Sequence, residues 1–326
     1  MRVAIIGCGL IGNKRALALP QGWSLVLCCD QIRERAENLA HFHPTAQATT
    51  DPQLVTTSPG VDIVIVATTH DRLARLAAHA AGSGKHVLLE KPGARCATEL
   101  DPVATAAQST GVLVRVGFNH RYHRAFRKAR EILATGNLGS PMFVRARYGH
   151  GGRIGYEKEW RANAEISGGG EAIDQGVHLI DLARWFLGDF VKVQGAAPTF
   201  YWNMPVEDNA FFLLHTASGS VAFLHASWTE WKNVFSFEYF GRTGKLEISG
   251  LGGSYGIERL AYFQMLPSMG PPETTIYEYP VADDSWEAEM ADFAEDIRLQ
   301  RAPSPGIADA QAALQIAEQV RKERSL

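Results

Sequence analysis

The chain has 326 residues, 46% of them hydrophobic and 21% charged, with a formal net charge of -3. That length accommodates two domains, each with its own core, and the balance is ordinary for a globular protein. A charge so near neutral excludes the electrostatic footprint of a protein built to bind nucleic acid or an anionic membrane.

The four cysteines, Cys8, Cys28, Cys29 and Cys96, show no metal-ligand or redox spacing. They read as reduced, mostly buried thiols, and no metal is expected. The apolar opening Arg2 to Gly7 is too short for a signal peptide, and no later run approaches a membrane span. A cytoplasmic location is the expectation.

Val3 to Ile6 is a short apolar run that predicts a strand, and Gly7-x-Gly9-x-x-Gly12 follows it directly. A helix is expected from about Ile11 to Leu19, stopped by Pro20. Between a strand and a helix such glycines allow a tight turn, close approach of a pyrophosphate and close packing, with the phosphate at the helix N-terminus. Leu10 and Ile11 belong to that turn. Ser24 to Cys29 predicts a second strand ending in Asp30, eighteen residues after Gly12, near the spacing expected of the acid that binds the adenosine ribose. A carboxylate there accepts from a free 2′-OH and repels a 2′-phosphate, which favours NAD over NADP. Arg33 and Arg35 stand close enough in sequence to soften that repulsion.

The alternation continues with a strand over Val61–Ala67, a helix over Arg72–Ser83 and a strand over His86–Glu90. A helix over about Thr98–Thr110 and a strand over Leu113–Phe118 complete it. Strands alternating with helices predict a parallel, doubly wound sheet over residues 1–120, with ligands beyond the carboxyl ends of the strands. Thr68, Thr69 and His70 follow one such end. Glu90, Lys91 and Pro92 follow another, and Lys91 there is either a solvated charge or a functional amine.

Residues 121–326 read as an α+β domain with an open, mostly antiparallel sheet. Arg124–Thr135 predicts a helix and Pro141–Tyr148 a strand. The loop His150 to Tyr156 is rich in glycine and carries Arg153, as either a substrate loop or a surface connection. Arg145, Arg147, Arg153 and Arg161 tilt the reading toward an acidic or nucleotide-linked substrate, unless they pair with nearby glutamates. Gly168-Gly169-Gly170 then precedes an amphipathic run to Phe186. At helical spacing Asp174, His178 and Asp181 share one side. A carboxylate one turn before an imidazole can fix its tautomer and suits a general base. The same pair also suits a surface contact or metal ligation, though no further His or Cys cluster completes a coordination shell. The glycines let another backbone, or a flat ligand, approach the helix start. Seven strand-like runs follow between Phe190 and Tyr279, suggesting a meander whose alternating aromatics form a core face or an oligomer contact. A loop over 266–272 and two helices, Trp286–Gln300 and about Ile307–Arg324, close the chain.

The chain resembles the glucose–fructose oxidoreductase / inositol dehydrogenase / MocA (Gfo/Idh/MocA) family of NAD(P)-dependent oxidoreductases. Four features carry this: Gly7-x-Gly9-x-x-Gly12, the run Gly84 to Pro92 ending in Glu90-Lys91-Pro92, Trp160-Arg161, and Gly168-Gly169-Gly170 with Asp174-x-Gly176-x-His178-x-x-Asp181. The resemblance covers about residues 1–190 well. It implies an N-terminal Rossmann domain, with Lys91 as the active-site lysine and Asp174 and His178 as its carboxylate and imidazole. It implies substrate contacts from Trp160, Arg161 and Arg121, and a place at the pocket for Asn119, which we also expect near the cofactor. One departure stands out. Where the family usually has Pro-Asn and a later histidine after Ala67-Thr68, this chain has Thr69, His70 and Leu73.

The expected activity is hydride transfer between NAD and a secondary alcohol of a sugar, cyclitol or nucleotide-linked sugar. His178 would take the hydroxyl proton, Asp174 would orient it, and Lys91 would stabilise charge on the reacting oxygen. The alternatives are a non-catalytic, dinucleotide-responsive regulator and a sugar-modifying enzyme that recycles a retained NAD. A homodimer or homotetramer through the C-terminal sheet is expected.

Overall fold

The computed structural model describes residues 1–268 and 270–322. Met269, in the loop expected over 266–272, and Arg324, at the expected end of the last helix, lie outside the described residues.

In chain order the first elements are β1 (Arg2–Ile6), α1 (Leu10–Leu17), β2 (Ser24–Cys29), α2 (Arg33–His41), β3 (Gln47–Thr49) and α3 (Pro52–Thr57). β4 (Ile63–Val66), α4 (His70–Gly82), β5 (His86–Glu90), α5 (Asp101–Thr110) and β6 (Val114–Gly117) follow. Then come α6 (Arg124–Ala134), β7 (Pro141–Gly149), α7 (Ala164–Ser167) and α8 (Val177–Leu187). The rest are β8 (Phe190–Ala196), β9 (Asn209–Thr216), β10 (Val221–Ser227), β11 (Val234–Gly241), β12 (Gly244–Ser249), β13 (Glu258–Gln264), β14 (Glu273–Tyr279), α9 (Ser285–Leu299) and α10 (Ile307–Lys322). None of the described helices is long and apolar enough to cross a membrane.

Contacts divide the chain into two compact units. The first holds residues 1–118, 165–168 and 286–314, and the second 119–164, 169–285 and those from 315 on. Neither unit is continuous in sequence, and residues 286–314 return to the first.

The first unit is built on a parallel sheet ordered β3-β2-β1-β4-β5-β6. All four residues of β4 are buried, as a strand covered on both faces must be. Val3, Ile5, Leu25, Ile63, Ile65 and Leu88 join one core, and Met290 and Phe293 of α9 pack into it. This last contribution explains why α9 belongs here. The sequence pattern predicts no helix or strand between Asp30 and Val61, where α2, β3 and α3 lie. Of α2 only Ala36 and Leu39 are buried and β3 has three residues, too little apolar period to register.

The second unit carries an eight-stranded sheet ordered β14-β13-β12-β11-β7-β10-β9-β8. A continuous meander does not form. β7 is inserted between β10 and β11, parallel to the first and antiparallel to the second. Along β7, Val144 and Ala146 are buried while Arg145 and Arg147 are exposed, so the two arginines point to the open face. α8 packs on β7 and β10, and α6 packs on β12, β13 and β14.

Candidate functional site

In the first unit the chain leaves β1 through Gly7, whose φ of +99° suits glycine alone. A Cβ on Gly12 would lie 1.9 Å from the Gly7 carbonyl oxygen, whereas one on Gly9 would meet nothing within 4 Å. Gly12 therefore serves packing, and Gly9 leaves open space at the N-cap of α1, where phosphate oxygens are well received. Asp30, 7% exposed, accepts from the Cys8 N–H at 2.8 Å and the Ile32 N–H at 2.9 Å. Its carboxylate ties the glycine turn to the start of α2 and still has lone pairs for ribose hydroxyls. Arg33, on the first turn of α2, is paired with Glu37 at 2.8 Å and well exposed. These residues fit a dinucleotide.

Beyond β4, Thr69 occupies the N-cap position of α4, its hydroxyl donating to the Asp71 side chain at 2.6 Å rather than capping the helix, and Thr68 lies half-buried beside it. His70 is 5% exposed and its Nδ1–H donates to the Ser167 carbonyl at 2.8 Å. Glu90, at the end of β5, is bound by the Arg15 Nε at 2.6 Å. Arg15 is fully buried, lies 4.4 Å over the Trp286 ring and also grips Glu289 of α9 at 2.6 Å. Burial pushes the Glu289 carboxyl up, against the pull of Arg15. Glu90 is thus held in place by its own fold, and it fixes the strand end from which Lys91 emerges. Lys91 is half-buried and joined to Pro92 by a cis peptide.

In the second unit the segment after the glycines begins as a π-helical turn, Ala172–Gly176, and becomes α-helical only at Val177. Such turns recur at functional sites. The glycines do admit another backbone: a Cβ on Gly170 would lie 1.9 Å from the Glu207 carbonyl oxygen. Glu207 also accepts from the Gly170 N–H at 3.0 Å and pairs with Arg321 of α10 at 3.0 Å. The chain's own backbone at Glu207, rather than a ligand, fills that space.

Asp174, His178 and Asp181 are all at least nine-tenths buried, and each meets a side chain from a different stretch of sequence. Asp174 accepts from the Arg161 Nε at 3.1 Å; Arg161 in turn lies 4.6 Å over the Trp160 ring. Asp181 takes a two-pronged ion pair from Arg121 at 2.8 and 2.5 Å. The His178 ring lies 3.8 Å from that of His120, tilted by 56°. His120 and Arg121 are neighbours in one 3₁₀ turn, Asn119–Tyr122, so this turn grips α8 at two points. Asn119 in the same turn donates to the Ser285 hydroxyl at 2.9 Å. Tyr148 of β7, its hydroxyl pushed well up by burial, closes on both histidine rings.

The second unit therefore gathers Asp174, His178, Trp160 and Arg161 around the start of α8. Arg121 and Asn119 join them but are already engaged by Asp181 and Ser285. Arg153 sits on an exposed loop, paired with Glu159 at 2.6 Å, and Arg145 pairs with Glu238 on the open face at 2.5 Å. Three of the four arginines expected to supply surplus positive charge, Arg145, Arg153 and Arg161, each face a carboxylate, while Arg147 stands exposed on the open face. Sequence reasoning missed His120 and Tyr148. The one signal for His120 was its place between Asn119 and Arg121.

Two family models match the chain. One, described as oxidoreductase family with an NAD-binding Rossmann fold, covers residues 1–118; the other, the GFO/IDH/MocA C-terminal domain, covers 126–247. Scyllo-inositol 2-dehydrogenase (NAD(+)) of Bacillus subtilis is 26% identical over 93% of this chain and 88% of its own length. D-glucoside 3-dehydrogenase of Escherichia coli is 30% identical over 58% of this chain and 54% of its own length. Levoglucosan dehydrogenase of Pseudarthrobacter phenanthrenivorans is 26% identical over 67% and 59%. In fold, a levoglucosan dehydrogenase solved with NADH and levoglucosan superposes with a TM-score of 0.88 at 22% identity, over 100% of this chain and 98% of that one. Matched in both its halves, the chain belongs to the Gfo/Idh/MocA family of oxidoreductases with an NAD-binding Rossmann fold.

Proposed function

We propose that the protein is an NAD-dependent dehydrogenase interconverting a secondary alcohol and a ketone on an uncharged sugar or cyclitol. The observation that carries this is the cradle: open space at Gly9 on the N-cap of α1, with the Asp30 carboxylate at the end of β2. NAD, when bound there, supplies the hydride acceptor. Gly7, Gly9, Leu10, Ile11 and Gly12 would receive its pyrophosphate, and Asp30 the adenosine ribose, with Arg33 nearby. Thr68, Thr69, His70 and Asn119 would border the nicotinamide half. The buried carboxylate of Asp30 favours NAD over NADP, since a 2′-phosphate brought against it is repelled.

His178 would accept the hydroxyl proton, Asp174 would hold the imidazole in its working orientation, and Lys91 would donate to the reacting oxygen. Glu90 would act by fixing Lys91. Trp160 and Arg161 would contact substrate, Arg121 would hold α8 in place for it, and Arg153 would approach from its loop. With Arg153 and Arg161 already facing carboxylates, and Arg145 and Arg147 on the open face of the sheet, a neutral polyol is favoured over the nucleotide-linked sugar that the sequence also suggested. The sugar and cyclitol substrates named for the relatives agree with this choice. We further propose a cytoplasmic enzyme, with residues 1–120 handling the dinucleotide and 121–326 handling substrate and self-association. The exposed face of the eight-stranded sheet, bearing Phe143, Leu213 and Phe223, would form a homodimer or homotetramer.

The test is NADH formation, followed by absorbance, across a panel of cyclitols and pyranosides. Wild-type protein is expected to turn over at least one of them. Lys91→Ala should lose about 10²–10³ in turnover while binding NADH normally. Near-normal turnover in that variant would contradict the assignment.

A further inference from the structure

The second imidazole against His178 has no part in the reaction as written, yet it is buried with it. His120 is 6% exposed and His178 4%, their centroids are 3.8 Å apart, and the 56° tilt is that of packed rings. Phe235 stacks on His120 at 6.0 Å and Tyr148 meets its edge at 5.2 Å. The ring therefore cannot swing away.

We propose that His120 is a positioning residue for His178: it fixes the plane of that imidazole and restricts the pair to a single proton. The inference rests on His178 being the base. Two imidazolium charges at this separation repel by the equivalent of roughly 3 pH units at an effective dielectric of about 20. Groups so coupled titrate as a pair, in two separated steps. Alcohol oxidation requires an empty pair and ketone reduction a singly loaded one. The doubly loaded state, useless in either direction, is pushed far into acid.

The surroundings act on the midpoint of the first step rather than on the separation. On the helix of His178 stand Glu171, Asp174 with Arg161, and Asp181 with Arg121. From β7, Tyr148 faces both rings. On the far side of His120 lies His123 at 5.5 Å, itself 3.3 Å from Glu258 and 3.7 Å from Asp283. Removing His120 leaves each of these in place.

The test is a pH titration of the full chain by NMR with labelled histidine side chains. The His178 and His120 signals are assigned from His178→Gln and His120→Gln. Wild-type protein should show two steps on these rings, separated by at least about 2 pH units. His120→Gln should leave a single step at His178 and abolish the lower one. His120→Phe, which keeps a packed ring without a charge, should do the same, and serves if the glutamine variant fails to fold. Independent titration of both rings at a common midpoint would overturn the proposal. So would a lower step persisting at His178 without His120. The titration needs neither cofactor nor substrate, so absence of turnover would sink the dehydrogenase reading while leaving this result intact.

Discussion

At Asp30 one carboxylate accepts two backbone N–H groups and stands where a ribose would bind. Losing it leaves the buried Cys8 N–H without its acceptor, which costs about 1–3 kcal/mol. Asp30→Ala should therefore lower both the denaturation midpoint and NADH affinity, the latter by roughly tenfold or more. Unchanged affinity by calorimetry would show that Asp30 serves only the fold. The sequence singles out individual residues where a motif announces them: Lys91 by its strand end and proline, Asp174 and His178 by spacing and resemblance, and the burial of the last two is what the structure adds. Their partners were not legible. Nothing local to His178 points to His120, and nothing beside Asp181 points to Arg121, because both contacts are made only when the chain folds back.

At the scale of elements, the helix after the three glycines was legible in position but not in its first turn. A single π-helical turn leaves no period long enough to separate it from an α-helix. What holds this segment is the Glu207 backbone on one side and the turn Asn119–Tyr122 on the other. Gly170→Ala would force a Cβ into the Glu207 carbonyl, so the loop must shift; a loss of about 1–3 kcal/mol is expected in chemical denaturation. The Arg121–Asp181 pair is buried at both ends, with 5% and 1% side-chain exposure. Arg121→Ala strands a buried carboxylate and should cost about 3–5 kcal/mol. Arg121→Lys keeps the charge but loses the two-pronged fork, and should recover only part of that. Equal stability of all three proteins would mean that α8 does not depend on this contact.

For the whole molecule, strand–helix alternation and the glycine turn made the first unit plain from sequence, while the return of α9 to it was hidden. That return depends on Met290 and Phe293 packing and on Glu289 meeting Arg15, across more than half the chain. Likewise the insertion of β7 beside β10 is a long-range pairing that no local pattern records. A property of the entire fold follows from three histidines. Burial holds His86, His150 and His225 below the ordinary imidazole range. Two of them accept backbone N–H groups, His86 from Leu113 and His150 from Gly152. The unfolded chain takes up protons near about pH 6.5 where the folded one resists. Their stabilising contribution is thus complete above that pH and declines as the pH falls through it. Denaturation midpoints should drop between pH 7.5 and 5.5, and replacing His86 with Gln should flatten that drop.

The central claim is that the turn from Gly7 to Gly12, with Asp30, holds a nicotinamide dinucleotide for redox chemistry. Calorimetric titration of the cofactor-free, folded protein with NADH, and separately with NADPH, tests it most directly. Saturable binding of NADH is expected, with weaker binding of NADPH and a loss of that preference in Asp30→Ala. A folded protein that binds neither nucleotide would contradict it.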